Sequence, residues 1–132
     1  MSSQMTYRFG IERLPSRELS PNWRGHWRSV HRAMQMDKQD MAAYCLHQCG
    51  RLPEPLTSVS VKVSVFLKSK RRMDPDNFSA RMKGFWDGLV LAGLLSDDST
   101  DVIKSVEYVF QTDKIRAGPL GLVEFEVEEV LT

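Results

Sequence analysis

Two pairs of aspartates flank one amphipathic segment and are the residues best suited to bind a cation. Asp74 and Asp76 stand on either side of Pro75, and Asp97 and Asp98 follow the segment. Proline pushes the preceding residue towards an extended conformation, in which residues i and i+2 point the same way. Carboxylates held that close need a proton, a basic side chain or a divalent cation to offset their repulsion.

Magnesium suits such oxygen ligands, because it binds one or two carboxylates and leaves positions for water and phosphate. A metal held in this way can activate water for phosphodiester hydrolysis. Lys83, on the intervening segment, would offset charge on the phosphate.

Helix capping is the alternative, since Asp76 or Asn77 is a good N-cap residue and needs no metal. A calcium-binding EF-hand is excluded, because Phe85 stands where that loop requires a bidentate glutamate.

The hydrophobic pattern predicts the elements that would position these groups. Alternation of apolar residues predicts four strands, over residues 6–14, 57–67, 102–111 and 120–131. A 3.6-residue period predicts two helices, from residue 27 or 28 to 49 and over 77–92. The order β-α-β-α-β-β indicates an α+β fold with helices packed on a mixed sheet, in which the last two strands pair as a hairpin. At 132 residues, the chain is expected to form one domain over 1–132.

The helix predicted over 77–92 raises a question of geometry. It would be about 24 Å long, which puts Asp98 at the far end from Asp76. Either residues 93–98 fold back beside the helix, or Asp98 completes the site of a second subunit. We expect the segment to fold back.

The net charge of +1 conceals an uneven distribution. Residues 1–72 carry 13 Lys and Arg against 5 Asp and Glu, whereas residues 73–132 carry 5 against 12. This favours a polyanion-binding surface beside a carboxylate-rich site; the alternative is two solvated faces that pair with each other. The residues expected to contact phosphates are Lys68, Lys70, Arg71, Arg72, Arg24 and Arg28. Trp23 and Trp27 are expected in the core or a dimer contact, with stacking on an unpaired base as the alternative.

Membrane and secreted classes are not expected. The sequence has no apolar run long enough to span a bilayer and no apolar segment at its N-terminus that would suggest a signal peptide. Cys45 and Cys49 lie four residues apart on a predicted helix, where the geometry suits a disulfide poorly. They are therefore expected to be free thiols, as in a cytoplasmic protein.

Several separated elements, matching in order, resemble the RusA family of Holliday junction resolvases, which are common in phages and prophages. The signature consists of Arg-Arg-Met-Asp-Pro-Asp-Asn at 71–77, Lys83, Asp87-Gly88-Leu89, Ala92-Gly93 and Asp97-Asp98-Ser99. The stretch from Ser20 to Arg28 is similar to that family's N-terminal loop, which is rich in Pro, Asn and Arg.

The resemblance implies a homodimeric, Mg²⁺-dependent endonuclease that acts on branched DNA, with Mn²⁺ as a substitute and no organic cofactor. The catalytic, metal-binding aspartates of the family correspond to Asp74, Asp76 and Asp98, and its catalytic lysine corresponds to Lys83. The interval before Lys83 is longer than in the shorter members, so Arg81 is a rival for that role. The expected function is resolution of Holliday junctions in recombination and repair. The alternatives are a branched-DNA-binding protein that does not cleave and a nuclease for other branched DNA.

Overall fold

The computed structural model describes residues 5–70 and 73–130 and shows a mixed sheet with helices packed on it. The four strands lie in the order β1-β4-β2-β3, which confirms the predicted α+β class. The elements are β1 Thr6–Ile11, α1 Trp27–Cys49, β2 Val59–Leu67, α2 Pro75–Arg81, α3 Lys83–Leu91, β3 Ile103–Thr112, α4 Lys114–Ala117 and β4 Leu122–Glu129. Within the described ranges, no helix is both long and apolar enough to cross a membrane.

The two central strands provide most of the sheet's buried surface. Phe125 of β4 stacks on Phe9 of β1 with ring centroids 5.1 Å apart, and it meets the edges of Phe85 and Trp86 from α3. The alternating valines of the central strands pack on the same side and are at most 3% exposed: Val59, Val61, Val63, Val65, Val123 and Val127. Full burial of each contributes roughly 1.5–3 kcal/mol, so this side of the sheet forms the core.

The predicted hairpin between the last two strands is wrong. β3 pairs in parallel with β2, and β4 lies on the other side of β2 and antiparallel to it. Parallel pairing follows from the connection, because a helical crossover links β2 to β3. In β4, Val123, Phe125 and Val127 are fully or almost fully buried, whereas β3 buries only Ile103. The more apolar strand therefore takes the central position and β3 takes the edge.

The single helix predicted over 77–92 is two helices, with the break at Met82. The Met82 N–H donates to the Ser79 carbonyl, a tighter bond than the i to i−4 pattern of the α-helix. The break comes just before α3 makes its closest approach to α1. A Cβ on Gly84 would lie 2.6 Å from Asp37 Cβ, and one on Gly88 would lie 2.6 Å from the Lys38 carbonyl. Only glycine at these two positions lets the helices pack this closely.

The first half of the chain matches its prediction closely. α1 has the expected bounds, and β1 ends at Ile11, three residues earlier than the predicted end at residue 14. Cys45 and Cys49 are free thiols, as expected. Burial on α1 raises the pKa of the Cys45 thiol to about 12, so this cysteine behaves as a small core residue.

Candidate functional site

Asp98 lies against α3, where it forms an ion pair with Lys83. The distance from Lys83 Nζ to Asp98 Oδ2 is 2.5 Å, and Lys83 Nζ also lies 3.0 Å from Asp87 Oδ1, one turn further along the helix. Asp98 and Asp87 are partly buried, with side chains 23% and 28% exposed, whereas that of Lys83 is 53% exposed. The chain thus folds back beside its own helix, as expected, and reaches the first turns of α3.

A buried turn after α3 brings Asp98 back. Gly93 has a φ of 80° and reverses the chain direction, a conformation that favours glycine. Leu94 and Leu95 follow and are each 1% exposed. The backbones of Leu94 and Ser96 bond to Leu56 just ahead of β2, with N···O distances of 2.8 and 3.0 Å. Apolar burial therefore fixes the segment next to the core and directs the following aspartates towards α3.

The ion pair shifts the pKa of both partners towards the charged form. Hydrogen bonds from Lys83 to Asp98 and then to Asp87 raise the pKa of the lysine. The bond from Lys83 lowers the pKa of the Asp98 carboxyl, although burial acts in the opposite direction. At neutral pH Lys83 and Asp98 are therefore both charged.

Asp74 caps α2, whereas the capping alternative had assigned that position to Asp76 or Asn77. Its backbone is extended, as expected before proline, and its Oδ1 accepts a hydrogen bond of 2.9 Å from the Asp76 N–H. Pro75 occupies the first helical turn, where its missing N–H costs nothing. Asp76 already lies inside α2 and only Asp74 is extended. The argument that both carboxylates point the same way from an extended segment therefore does not hold. Both aspartates are exposed.

A cavity of about 320 Å³ connects α2 with the turn that carries Asp98. Ser79 and Asp98 both line it, together with Trp86 and Tyr108. The hydroxyl oxygens of Tyr108 and Ser79 lie 3.5 Å apart, and burial raises the pKa of the tyrosine. Ser79 follows Asp76 by three residues, so the two lie on neighbouring positions of one helix face. α2 and the Asp98 turn therefore border one depression.

The carboxylates have the right chemistry for magnesium but do not form a finished metal site. Hard oxygen ligands suit Mg²⁺. However, no three His, Cys, Asp or Glu side chains converge closely enough to bind a metal within residues 5–70 and 73–130. Asp74 uses one oxygen to cap α2, and Asp98 is paired with Lys83. The three predicted ligands are thus not assembled as a metal-binding trio.

Arg81, the rival for the catalytic cation, contacts the N-terminal segment. Its guanidinium donates to the Pro15 carbonyl at 2.5 Å and lies over the ring of Phe78. It therefore ties α2 to the N-terminal segment. Lys83 is the cation that lies beside the predicted acidic residue Asp98.

The predicted phosphate contacts are only partly described. Arg24, Arg28, Lys68 and Lys70 are exposed, as a DNA-binding role requires. Lys68 Nζ also donates to the Pro119 carbonyl at 3.3 Å. Arg71 and Arg72 lie outside the described residues.

Two contacts were not predicted from the sequence. The four-residue spacing of Lys83 and Asp87 belongs to the RusA-like signature, but the ion pair between the two side chains was not predicted. Asp37 is completely buried, and its carboxylate accepts bonds from Arg13 at 2.6 Å and from the N–H and hydroxyl of Ser16 at 2.9 and 2.6 Å. No local pattern distinguishes Asp37 from a solvent-exposed helical aspartate.

No protein-family model matches the chain, and no curated protein shows significant sequence similarity to it. The resemblance to the RusA family therefore rests on the residues of the signature.

Proposed function

We propose that the protein is a structure-selective DNA endonuclease that resolves Holliday junctions by paired phosphodiester hydrolysis. The observation that carries the proposal is the return of Asp98 to Lys83, because it joins the lysine and the last aspartate of the RusA-like signature in one subunit. The exposed aspartates at the start of α2 and the basic half of the chain add support.

Lys83 supplies the charge that a phosphodiester requires. Its two carboxylate partners keep it protonated, and its half-exposed ammonium group can exchange one of them for a phosphate oxygen. A preorganised cation of this kind stabilises the negative charge that develops during phosphoryl transfer. The exposed residues Arg24, Arg28, Lys68 and Lys70 would contact the backbone on either side without reading its sequence.

Dependence on Mg²⁺, or on Mn²⁺ in its place, is part of the proposal. Such a cation, once bound, would polarise the phosphate and activate water. Asp74, Asp76 and Asp98 are the proposed ligands, although they do not converge in this structure. Isothermal titration with MgCl₂ tests this separately from cleavage, since loss of binding in Asp76→Asn would identify a ligand.

A homodimer is also proposed, because two symmetric cuts require two sites related by a two-fold axis. Sedimentation of the protein with and without a synthetic four-way junction tests this assembly.

The decisive experiment incubates the protein with a labelled four-way junction and MgCl₂, beside Lys83→Met and Asp98→Asn. We expect the native protein to produce paired nicks. We expect the cleavage rate to fall by about 10²- to 10³-fold in either variant, which is the range for loss of one group that stabilises the transition state. Asp101→Asn is the matched control, since this exposed acid follows in the same turn. Binding without nicks would instead identify a non-cleaving branched-DNA-binding protein. Preferential cleavage of flaps or forks would identify a nuclease for other branched DNA.

A further inference from the structure

Trp27, the first residue of α1, is unusually exposed for a tryptophan. It is 67% exposed and is the one aromatic residue among the exposed large hydrophobic side chains of the described chain. Of the two predicted environments, core or dimer contact, the core is therefore wrong for Trp27. Tryptophan combines a large apolar ring with a polar N–H and is enriched where proteins bind partners, so the Trp27 ring is a candidate contact surface.

Two neighbouring side chains support the Trp27 ring. The His26 ring stacks on it with centroids 5.5 Å apart and planes 30° apart, and the Arg28 guanidinium carbon lies 5.5 Å from its centroid. His26 is itself held, because its Nδ1 accepts the Arg28 N–H at 3.0 Å and so caps α1. The indole is thus a supported flat surface.

The charged residues along this stretch of the chain have one sign. No Asp or Glu occurs between residues 19 and 36, whereas Arg24, Arg28 and Arg32 lie within that stretch and are exposed. A partner with exposed π-faces and negative charge matches such a surface, and an unpaired nucleobase on a phosphate backbone has both. A base within a duplex is already stacked on both faces and would gain little.

The segment that precedes Trp27 is bonded to two helices, α1 and α2. Ser16 bonds to Asp37 of α1 through its N–H and hydroxyl, and the preceding Pro15 carbonyl accepts from Arg81 of α2. Trp23 folds over the backbone of Gly25, where a Cβ would lie 2.3 Å from the indole ring. Trp27 begins α1, and α1 packs directly on α3. Trp27 and Lys83 therefore belong to one packed unit.

We propose that Trp27, supported by His26 and Arg28, is a stacking platform for an unpaired base at a DNA branch point. The inference rests on the proposed function, because it specifies how that function would distinguish branched DNA from duplex. Stacking of one base on one aromatic ring adds affinity without reading sequence. The platform would favour branch points whose central bases are unstacked.

The test compares Trp27→Ala and Trp27→Phe with the native protein in calcium instead of magnesium. The ligands are a four-way junction with 2-aminopurine at the branch point and a duplex of the same length. We expect Trp27→Ala to lose about tenfold in junction affinity, to leave duplex affinity within about twofold, and to abolish quenching of the 2-aminopurine. Trp27→Phe should keep most of both signals. Met36→Ala is the matched control, since Met36 is 55% exposed on the same helix.

Three results would overturn the inference. The first is an unchanged ratio of junction to duplex affinity in Trp27→Ala, and the second is absence of DNA binding by the native protein. The third is a change from dimer to monomer in sedimentation of Trp27→Ala, which would make Trp27 a contact between copies. Cleavage in magnesium separates this inference from the proposed function. Quenching that depends on Trp27 without any nicks refutes only the nuclease, and nicks with an unchanged affinity ratio refute only the platform.

Discussion

Lys83 and Asp98 form an ion pair of 2.5 Å although 15 residues separate them along the chain. The pair joins the start of α3 to the turn beyond its end, and the two buried leucines before Asp98 hold that turn against the core. The contact is therefore a product of tertiary packing. A helix alone would place Lys83 near Asp87 and leave Asp98 distant.

Replacing Asp98 by Asn should lower the pKa of Lys83 towards its ordinary value, because the hydrogen bond to Asp98 is the main cause of its elevation. Nitrogen-detected NMR of the lysine ammonium groups measures this shift. Asp101→Asn should leave that pKa where it is. An unchanged pKa in Asp98→Asn would mean that Asp87 alone holds the lysine.

The same pair fixes a pH window for its contribution to stability. The hydrogen bond from Lys83 lowers the pKa of Asp98 below its usual value of 3.8, so its contribution is lost as pH falls through that lowered pKa. The same bond to Asp98 raises the pKa of Lys83 above its usual value of 10.5, so its contribution is lost as pH rises through that raised pKa. The difference in urea midpoint between native protein and Asp98→Asn should be constant between the two usual pKa values, 3.8 and 10.5, and shrink outside them. Because the lysine is half exposed, we expect a small difference.

Asp74 allows helix capping to be separated from chemistry. Asp74→Ala should reduce the free energy of unfolding by about 0.5–2 kcal/mol through loss of the cap, whereas Asp74→Ser should retain most of it. Both changes remove the carboxylate, so both should abolish junction cleavage if Asp74 binds the metal. Urea unfolding and the nicking assay give the two readouts. Full activity in Asp74→Ser would leave Asp74 with a capping role only.

Mixed dimers should remain inactive when Asp76→Asn and Asp98→Asn subunits are combined. Asp98 lies against Lys83 of its own chain, so each site in such a dimer keeps one defective residue. The measurement is nicking by co-expressed subunits with two different affinity tags, purified on both. Recovery of cleavage would show that Asp98 acts across the dimer.

Asp37 should be far more important for stability than its neighbour Asp40, although both pair with Arg13. The side chain of Asp37 is 0% exposed and that of Asp40 is 47% exposed. Removing one partner of a buried pair costs about 3–5 kcal/mol, whereas an exposed pair contributes about 0–1 kcal/mol. Urea unfolding of Asp37→Ala and Asp40→Ala compares the two. Equal losses would contradict the assignment of Asp37 as the buried anchor of the segment around Ser16.

The sequence predicted those elements whose pattern depends on one strand or helix alone. The valines of β2 alternate without interruption, and the apolar residues of α1 follow its period, so both were located within two residues. The break at Met82 depends on the approach of α3 to α1, and an amphipathic pattern in a single helix contains no information about that neighbour. The observed N-cap, Asp74, lies two residues before Asp76, the first residue that capping had suggested. The reason is that proline is well suited to the first position of a helix, so α2 begins at Pro75.

Strand pairing and the site required information from distant parts of the chain. Neighbouring strands usually pair, and this rule favoured a hairpin of β3 with β4. The observed pairing of β4 with β2 is instead explained by the burial of Phe125 and its flanking valines beside β2. In the same way, the aspartates and lysine of the candidate site could be named from their types and spacing. The contact between Lys83 and Asp98 could not be predicted, because it depends on the turn after Gly93.

The glycines that let α3 lie against α1 have a consequence for local opening. Lys83 and Asp87 each directly precede one of them, Gly84 and Gly88, so both charged residues sit on backbone that cannot separate from α1 without exposing the core. The amide hydrogen of Asp87, inside α3, should therefore exchange with solvent only when the whole domain unfolds. The exposed residues around Arg24 should exchange orders of magnitude faster. The helical carboxylate partner of Lys83 thus belongs to the last part of the protein to open.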